Sequence, residues 1–181
     1  MSSHLEEIVT SRLVLIQFTL ESILIEQAAD GDYHRFGQTI GCNIHQEWPP
    51  ANWEPHVFEF FLKQFREHPD QLSWNRYVAL PEPDGTRTLI GALGAFSKSD
   101  PPGICEIGYG ILPSFEGRGF ATEGTLALID YLRRNTNTTS IIAHTFPSLS
   151  RSIRVMEKCG LAFDGDGEEE GTIRYRLNLR S

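Results

Sequence analysis

From Ile104 to Asn135 the chain reads ICEIGYGILPSFEGRGFATEGTLALIDYLRRN. Its first nine residues are rich in strand formers and stop at Pro113. Its last stretch carries apolar residues at helical spacing. A strand that turns through a short glycine-bearing loop into an amphipathic helix is a unit of α/β architecture. The same unit suits an anion. The first amides of a helix lack internal partners, and the macrodipole adds about half a positive charge there. Gly117 and Gly119 carry no side chains, so a phosphate can approach the backbone, and Ala121 stays small on that surface. Arg118 adds a charge-assisted contact. A tight strand-to-helix turn without a ligand is the alternative reading of these residues. Neither GxxxxGK[ST] nor GxGxxG occurs, which disfavours a nucleotide-binding or kinase-like protein.

Around this unit the patterning alternates between strands and helices. Arg12–Phe18 reads as a strand, and Thr19 or Glu21 opens a helix that stops near Gly31. Residues 33–53 are less regular and hold Trp48, two prolines and Trp53. Pro55 suits a first helical turn, after which Val57, Phe58, Phe61, Leu62 and Phe65 share one face. Trp74–Leu80 and Thr88–Phe96 form a hairpin across Asp84-Gly85. Ser140–His144 is a short buried strand, and a helix over about 148–159 is closed by Gly160. Two more strands, near 161–164 and 172–179, flank an acidic turn. The expected fold is a mixed α/β (α+β) domain spanning residues 1–181, with its core over about 10–179. Its central mixed sheet has about seven strands with about four to five helices.

Charge and cysteines narrow the function. Lys plus Arg is 16 and Asp plus Glu is 24, a net charge of −8, so nucleic acid is an unsuitable partner. No apolar run reaches the ~18 residues of a membrane span, and the N-terminus does not read as a secretion signal. Three widely spaced cysteines without CxxC spacing fit neither a disulfide framework nor a zinc site. No HExxH pair is present, so no metal is expected. A reducing, cytoplasmic setting follows. The run DGDGEEEG at 164–171 has the composition but not the ligand register of a calcium loop, and reads as a solvated turn.

The segment EIGYGILPSFEGRGFATEG (106–124) resembles the central motif of the GNAT superfamily of acetyl-CoA-dependent N-acetyltransferases. Its flanks are similar to the branch that holds the ribosomal-protein and other protein N-terminal acetyltransferases. A second segment, SRSIRVMEKCGL (150–161), resembles that branch's Ser-x-x-x-x-x-Lys-x-Gly-Phe helix, with Pro147 ahead of it. The final TIRYRLNL is similar to the family's last strand. The resemblance implies a GNAT-like fold with splayed strands forming an acetyl-CoA cleft. It implies that backbone amides of Gly117, Arg118, Gly119, Phe120, Ala121 and Thr122 hold the pyrophosphate. Main-chain groups of Ile111 and Leu112 would pair with the pantetheine arm, and an N–H near Leu112 would serve the oxyanion. Three departures stand out. Glu116 replaces Gln or Arg, Leu149 replaces a CoA-contacting Asn for which Ser148 or Ser150 would substitute, and Met156 replaces a Tyr found in many members.

The acceptor amine has to lose a proton, and the leaving thiolate has to gain one. Glu106 is the candidate base, because strand alternation sets it on one face with Gly108 and Gly110. A solvent-facing strand Glu is the alternative. Ser152 is the candidate acid or thiol-orienting group by resemblance to the branch, and a helix-start Ser satisfying the backbone is its alternative. Tyr109 and Tyr33 are further relay candidates. Trp48, Trp53, Tyr109 and His144 are the candidate acceptor-binding residues. The acceptor is a small-molecule amine or a protein or peptide N-terminus, and the chain acts as a monomer or homodimer. A non-catalytic acyl-CoA sensor of the same fold is the second reading.

Overall fold

The computed structural model describes residues 6–50, 53 and 55–180. The chain opens with β1 (Glu7–Val9) and β2 (Val14–Gln17), then α1 (Leu20–Gln27), α2 (His34–Ile40), β3 (Asn43–Ile44) and α3 (Pro55–Glu67). A 3-10 turn, Pro69–Trp74, leads to β4 (Arg76–Pro81), β5 (Arg87–Ser97) and β6 (Ile104–Ile111). Then come α4 (Phe120–Asn135), β7 (Ser140–Thr145), α5 (Ser150–Lys158), β8 (Ala162–Asp166) and β9 (Ile173–Asn178).

Of the two expected openers, Thr19 caps α1. Its hydroxyl accepts from Ser22 N at 2.9 Å, and Ser22 Oγ accepts from Thr19 N at 3.0 Å. This is a capping box with serine in the third position. Gly41 ends α2 in the left-handed region at φ 68° and gives its N–H to Gly37 O.

Nine strands join one sheet in the order β1-β2-β4-β5-β6-β7-β9-β8, with β3 paired to β5. The two strands beyond the expected seven are β1 and β3, of three and two residues. The mixture is real: β6–β7 and β3–β5 are parallel, and the other pairs are antiparallel. Along β2 the two faces alternate residue by residue. Leu13 and Leu15 join a core with α4 and α5, while Val14 and Ile16 join a core with α1, α2 and α3. Strands so enclosed on both sides read as continuous apolar runs.

The feature that makes a site is where β6 and β7 separate. They pair only over Ile104–Glu106 against Ser140–Ile142. Beyond that, β6 runs on to Ile111 paired to β5 alone, and β7 runs on to Thr145 paired to β9. The sheet opens there into a V. One lip is the free edge of β6.

Candidate active site

The loop after β6 is shaped as its glycines require. Gly117 lies at φ 74° and Gly119 at φ 83°, both left-handed. Gly119 caps α4 without any side-chain hydrogen bond, so the first amides of that helix stay open. A Cβ at Gly117 would meet nothing within 4 Å. Arg118 lays its guanidinium 4.9 Å from the Phe120 ring centroid, and Arg12 donates to Arg118 O at 2.9 Å. Glu116 does not load the loop with negative charge, because it pairs with Arg151 on α5. Glu123 accepts from Thr10, Ser11 and Arg12. Burial disfavours its charge, yet these bonds prevail and hold its pKa below the ordinary value. It therefore ties the β1–β2 connection to the first turn of α4. Leu149, where the family has Asn, is 52% exposed. Ser148 and Ser150 beside it are exposed too.

The free edge of β6 presents main chain to the opening. Leu112 is not part of it: its N–H goes to Ile90 O at 2.8 Å, and its carbonyl accepts from Phe115 N at 2.9 Å. The oxyanion donor expected near Leu112 is thus not that amide. Ladder alternation turns the groups of Tyr109 and Ile111 outward instead. On the face shared with α1–α3, a Cβ at Gly108 or Gly110 would meet nothing within 4 Å. The floor of the cleft is bare backbone.

Glu106 and His144 stand together at the apex of the V. His144 Nδ1 lies 2.8 Å from Glu106 Oε1, and Lys98 Nζ lies 3.1 Å from Oε2. Lys98 also reaches Glu168 Oε2 at 2.7 Å, which ties the β8–β9 turn to the group. Burial opposes the lysine charge, but the two carboxylates outweigh it and keep its pKa above the ordinary value. His144 Nε2 is buried and has no hydrogen-bond partner among the described residues. Sequence reasoning singled out Glu106 and His144 separately. Lys98 and Glu168 were missed, since a residue just past a strand and one in an acidic turn carry no periodic signal.

On the opposite face, Tyr109 reaches from β6 to α5. Its hydroxyl donates to Ser152 O at 3.0 Å and lies 3.2 Å from Ser152 Oγ. Burial pushes this phenol up to about 12; the Ser152 bond works against that, and Cys159 adds to it. Met156 is 2% exposed, a packing residue of the core. The carboxylate–imidazole pair and the phenol–hydroxyl pair thus flank the opening from its two faces.

Trp48 and Trp53 meet at a group that the periodicity did not reveal. Both indoles donate to Glu26 Oε1, at 3.1 and 2.8 Å, and Tyr77 donates to Oε2 at 2.8 Å. Trp48 is 5% exposed and Glu26 3%. Burial pushes Glu26 up to about 7, against the bonds from Tyr77, Trp53 and Trp48. Its one sequence signal is an acid three residues after Ile23, on the buried side of α1. Tyr33 is half-buried; burial, then the Glu26 charge, raises its pKa. Tyr33 and Trp48 also line an open cavity of about 870 Å³ with His45 and Arg87. Among the described residues no three His, Cys, Asp or Glu side chains come together to hold a metal. No helix is long and apolar enough to cross a membrane, among the same residues.

Residues 12–162 match the family model described as an acetyltransferase (GNAT) domain. Among solved structures, a GNAT-family acetyltransferase from Bacillus anthracis is 19% identical with a TM-score of 0.62, covering 96% of this chain and 99% of that one. A ribosomal-protein-S5-alanine acetyltransferase from Vibrio fischeri is 14% identical with a TM-score of 0.62, covering 96% and 97%. A spermidine N-acetyltransferase from Vibrio cholerae, solved with CoA and spermine, is 17% identical with a TM-score of 0.60, covering 94% and 97%. No curated protein matches the chain by sequence.

Proposed function

The chain belongs to the acetyltransferase (GNAT) family, and from that premise we propose that it transfers the acetyl group of acetyl-CoA to a primary amine by direct attack. The observation that carries this reading is the bare floor at Gly108 and Gly110 between two hydrogen-bonding pairs on opposite faces. The residues fit the co-substrate. Gly117 leaves open space beside uncapped amides, so Gly117, Arg118, Gly119, Phe120, Ala121 and Thr122 would hold the pyrophosphate. The outward groups of Tyr109 and Ile111 would pair with the pantetheine amides as an added strand.

The chemistry divides between the faces. The Glu106–His144 pair takes the proton that leaves the attacking nitrogen. Ser152 faces the sulfur side, oriented by Tyr109. The Tyr109 hydroxyl is committed to the Ser152 carbonyl, so Tyr109 contributes a hydrogen bond and Ser152 relays a proton from solvent. This pair fills the role that Met156 has vacated, which favours an enzyme over an acyl-CoA sensor. Relatives named for spermidine and for a ribosomal-protein alanine support an amine acceptor, a small molecule or a protein N-terminus. Three buried free thiols support a cytoplasmic setting, as monomer or homodimer.

The test is a calorimetric titration of acetyl-CoA into the wild type and Gly117→Asp. Aspartate tolerates the left-handed region and adds charge where phosphate would lie. We expect binding in the wild type and a loss of tenfold or more, on the order of 1.4 kcal/mol, in the variant. Equal affinity in both proteins would remove the loop from the cofactor site.

A further inference from the structure

His144 Nε2 is the one buried polar atom of the cleft that no described residue satisfies. Buried polar groups are hydrogen-bonded almost without exception, and each that is not calls for an explanation. The neighbourhood supplies one. Both oxygens of Glu106 are already engaged, Oε1 by the imidazole at 2.8 Å and Oε2 by the Lys98 ammonium at 3.1 Å. A carboxylate accepts and does not donate, so Nδ1 carries the proton of the neutral ring. The lone pair is then on Nε2, turned away from Glu106. Gly167 of the β8–β9 turn lies beside that edge. A Cβ there would come within 3.0 Å of His144 Cδ2 and 2.0 Å of Thr172 Oγ1. A carboxylate holding one imidazole nitrogen so that the other is a bare base is the logic of a catalytic dyad.

We propose that His144 is the general base of the reaction and Glu106 the residue that positions it, with the acceptor nitrogen as the partner that Nε2 lacks. This assignment rests on the transferase reading and names which member of the pair takes the proton. The acceptor nitrogen takes the place of the hydrogen-bond partner that Nε2 lacks. Its lone pair forms the N–C bond to the thioester carbon as its proton passes to Nε2. The C–S bond breaks, and the thiolate takes a proton from solvent through Ser152. Glu106 stabilises the imidazolium, which then releases its proton to solvent. The charged groups around the ring are Glu106 on β6, Lys98 after β5, Glu168 on the turn, and Arg174 on β9, which bonds Asp164 on β8. Lys98 answers one of the two negative charges of Glu106 and Glu168, and Arg174 is taken up by Asp164, so one negative charge remains for the imidazolium to answer.

Two measurements on the full chain test this. Nitrogen-15 spectra of histidine-labelled protein read the tautomer, and neutral His144 is expected to carry its proton on Nδ1. Thiol release from acetyl-CoA is followed against pH with spermidine and with an alanine-initiated peptide as probe amines. The wild-type rate is expected to rise with pH through an inflection set by His144. His144→Gln removes that inflection and lowers kcat/KM about 10²- to 10⁴-fold. Glu106→Gln keeps an inflection at a shifted position and loses less. Acetyl-CoA titrations on the same samples separate loss of the base from loss of the cofactor site. A proton on Nε2 in the neutral ring overturns the proposal. So does an inflection that survives His144→Gln and vanishes in Glu106→Gln.

Discussion

Glu26 sits among Trp48, Trp53 and Tyr77 with its pKa near 7, raised because burial costs the charged form more than three donors return. The sign of the consequence is fixed. An acid whose folded value lies above its unfolded one holds its proton more tightly when folded. Its contribution is complete below the unfolded value of 4.5 and fades as pH rises through about 7. Glu26→Gln keeps an acceptor for the indoles and an amide for Tyr77 but does not titrate. Urea unfolding should therefore show the variant gaining on the wild type between pH 4.5 and 8, by about 3 kcal/mol at most. Parallel stability profiles would mean that Glu26 is ionised throughout. At this scale the sequence was partly legible. Glu106, Ser152, Tyr109 and His144 stood out because strand alternation and resemblance marked them. Glu26 did not, because the three donors that hold it come from β4 and from a loop about twenty-five residues downstream of it.

Elements carry the cleft through what glycine leaves empty. Along β5 and β6, Gly94 is opposite Gly108, yet the two do different work. A Cβ at Gly94 would press within 2.1 Å of Asn75 Oδ1, whereas at Gly108 it would meet nothing within 4 Å. Gly94→Ala should thus cost about 1–3 kcal/mol of stability. Gly108→Val should leave the melting temperature nearly unchanged while acceptor turnover falls tenfold or more. Melting curves and thiol-release assays on both variants check the contrast. A Gly108→Val protein that turns over normally would mean that the acceptor does not cross that floor. Long elements were readable because period and stop signals agree: β5 and β6 match their expected bounds to within a residue, and α4 ends at Asn135 as expected. Those missed were β1, α2 and β3, at three, seven and two residues. Windows so short hold no full period, and β3 exists only because Thr88 and Leu89 offer it a parallel partner.

Across the whole molecule, two cores share one sheet, and the sheet opens between β6 and β7 after three paired positions. Each core is fastened separately. Glu123 ties the N-terminal strands to α4, and Glu26 ties α1 to β4 and the tryptophan loop. Both ties lie outside the short β6–β7 pairing at which the sheet opens. Pattern and resemblance in the sequence indicate the mixed sheet and the loop before α4. The closure of Lys98 on Glu168 depends on two segments seventy residues apart, and no local rule brings them together. Transfer of an acetyl group to nitrogen is the proposed activity. Its most direct test is mass spectrometry of spermidine and of an alanine-initiated peptide after incubation with acetyl-CoA and the full chain. The prediction is one acetyl group on an amine of at least one probe, in equal amount to the thiol released and lost in His144→Gln. Thiol release without acetylated amine, or bound acetyl-CoA with neither product, would contradict it.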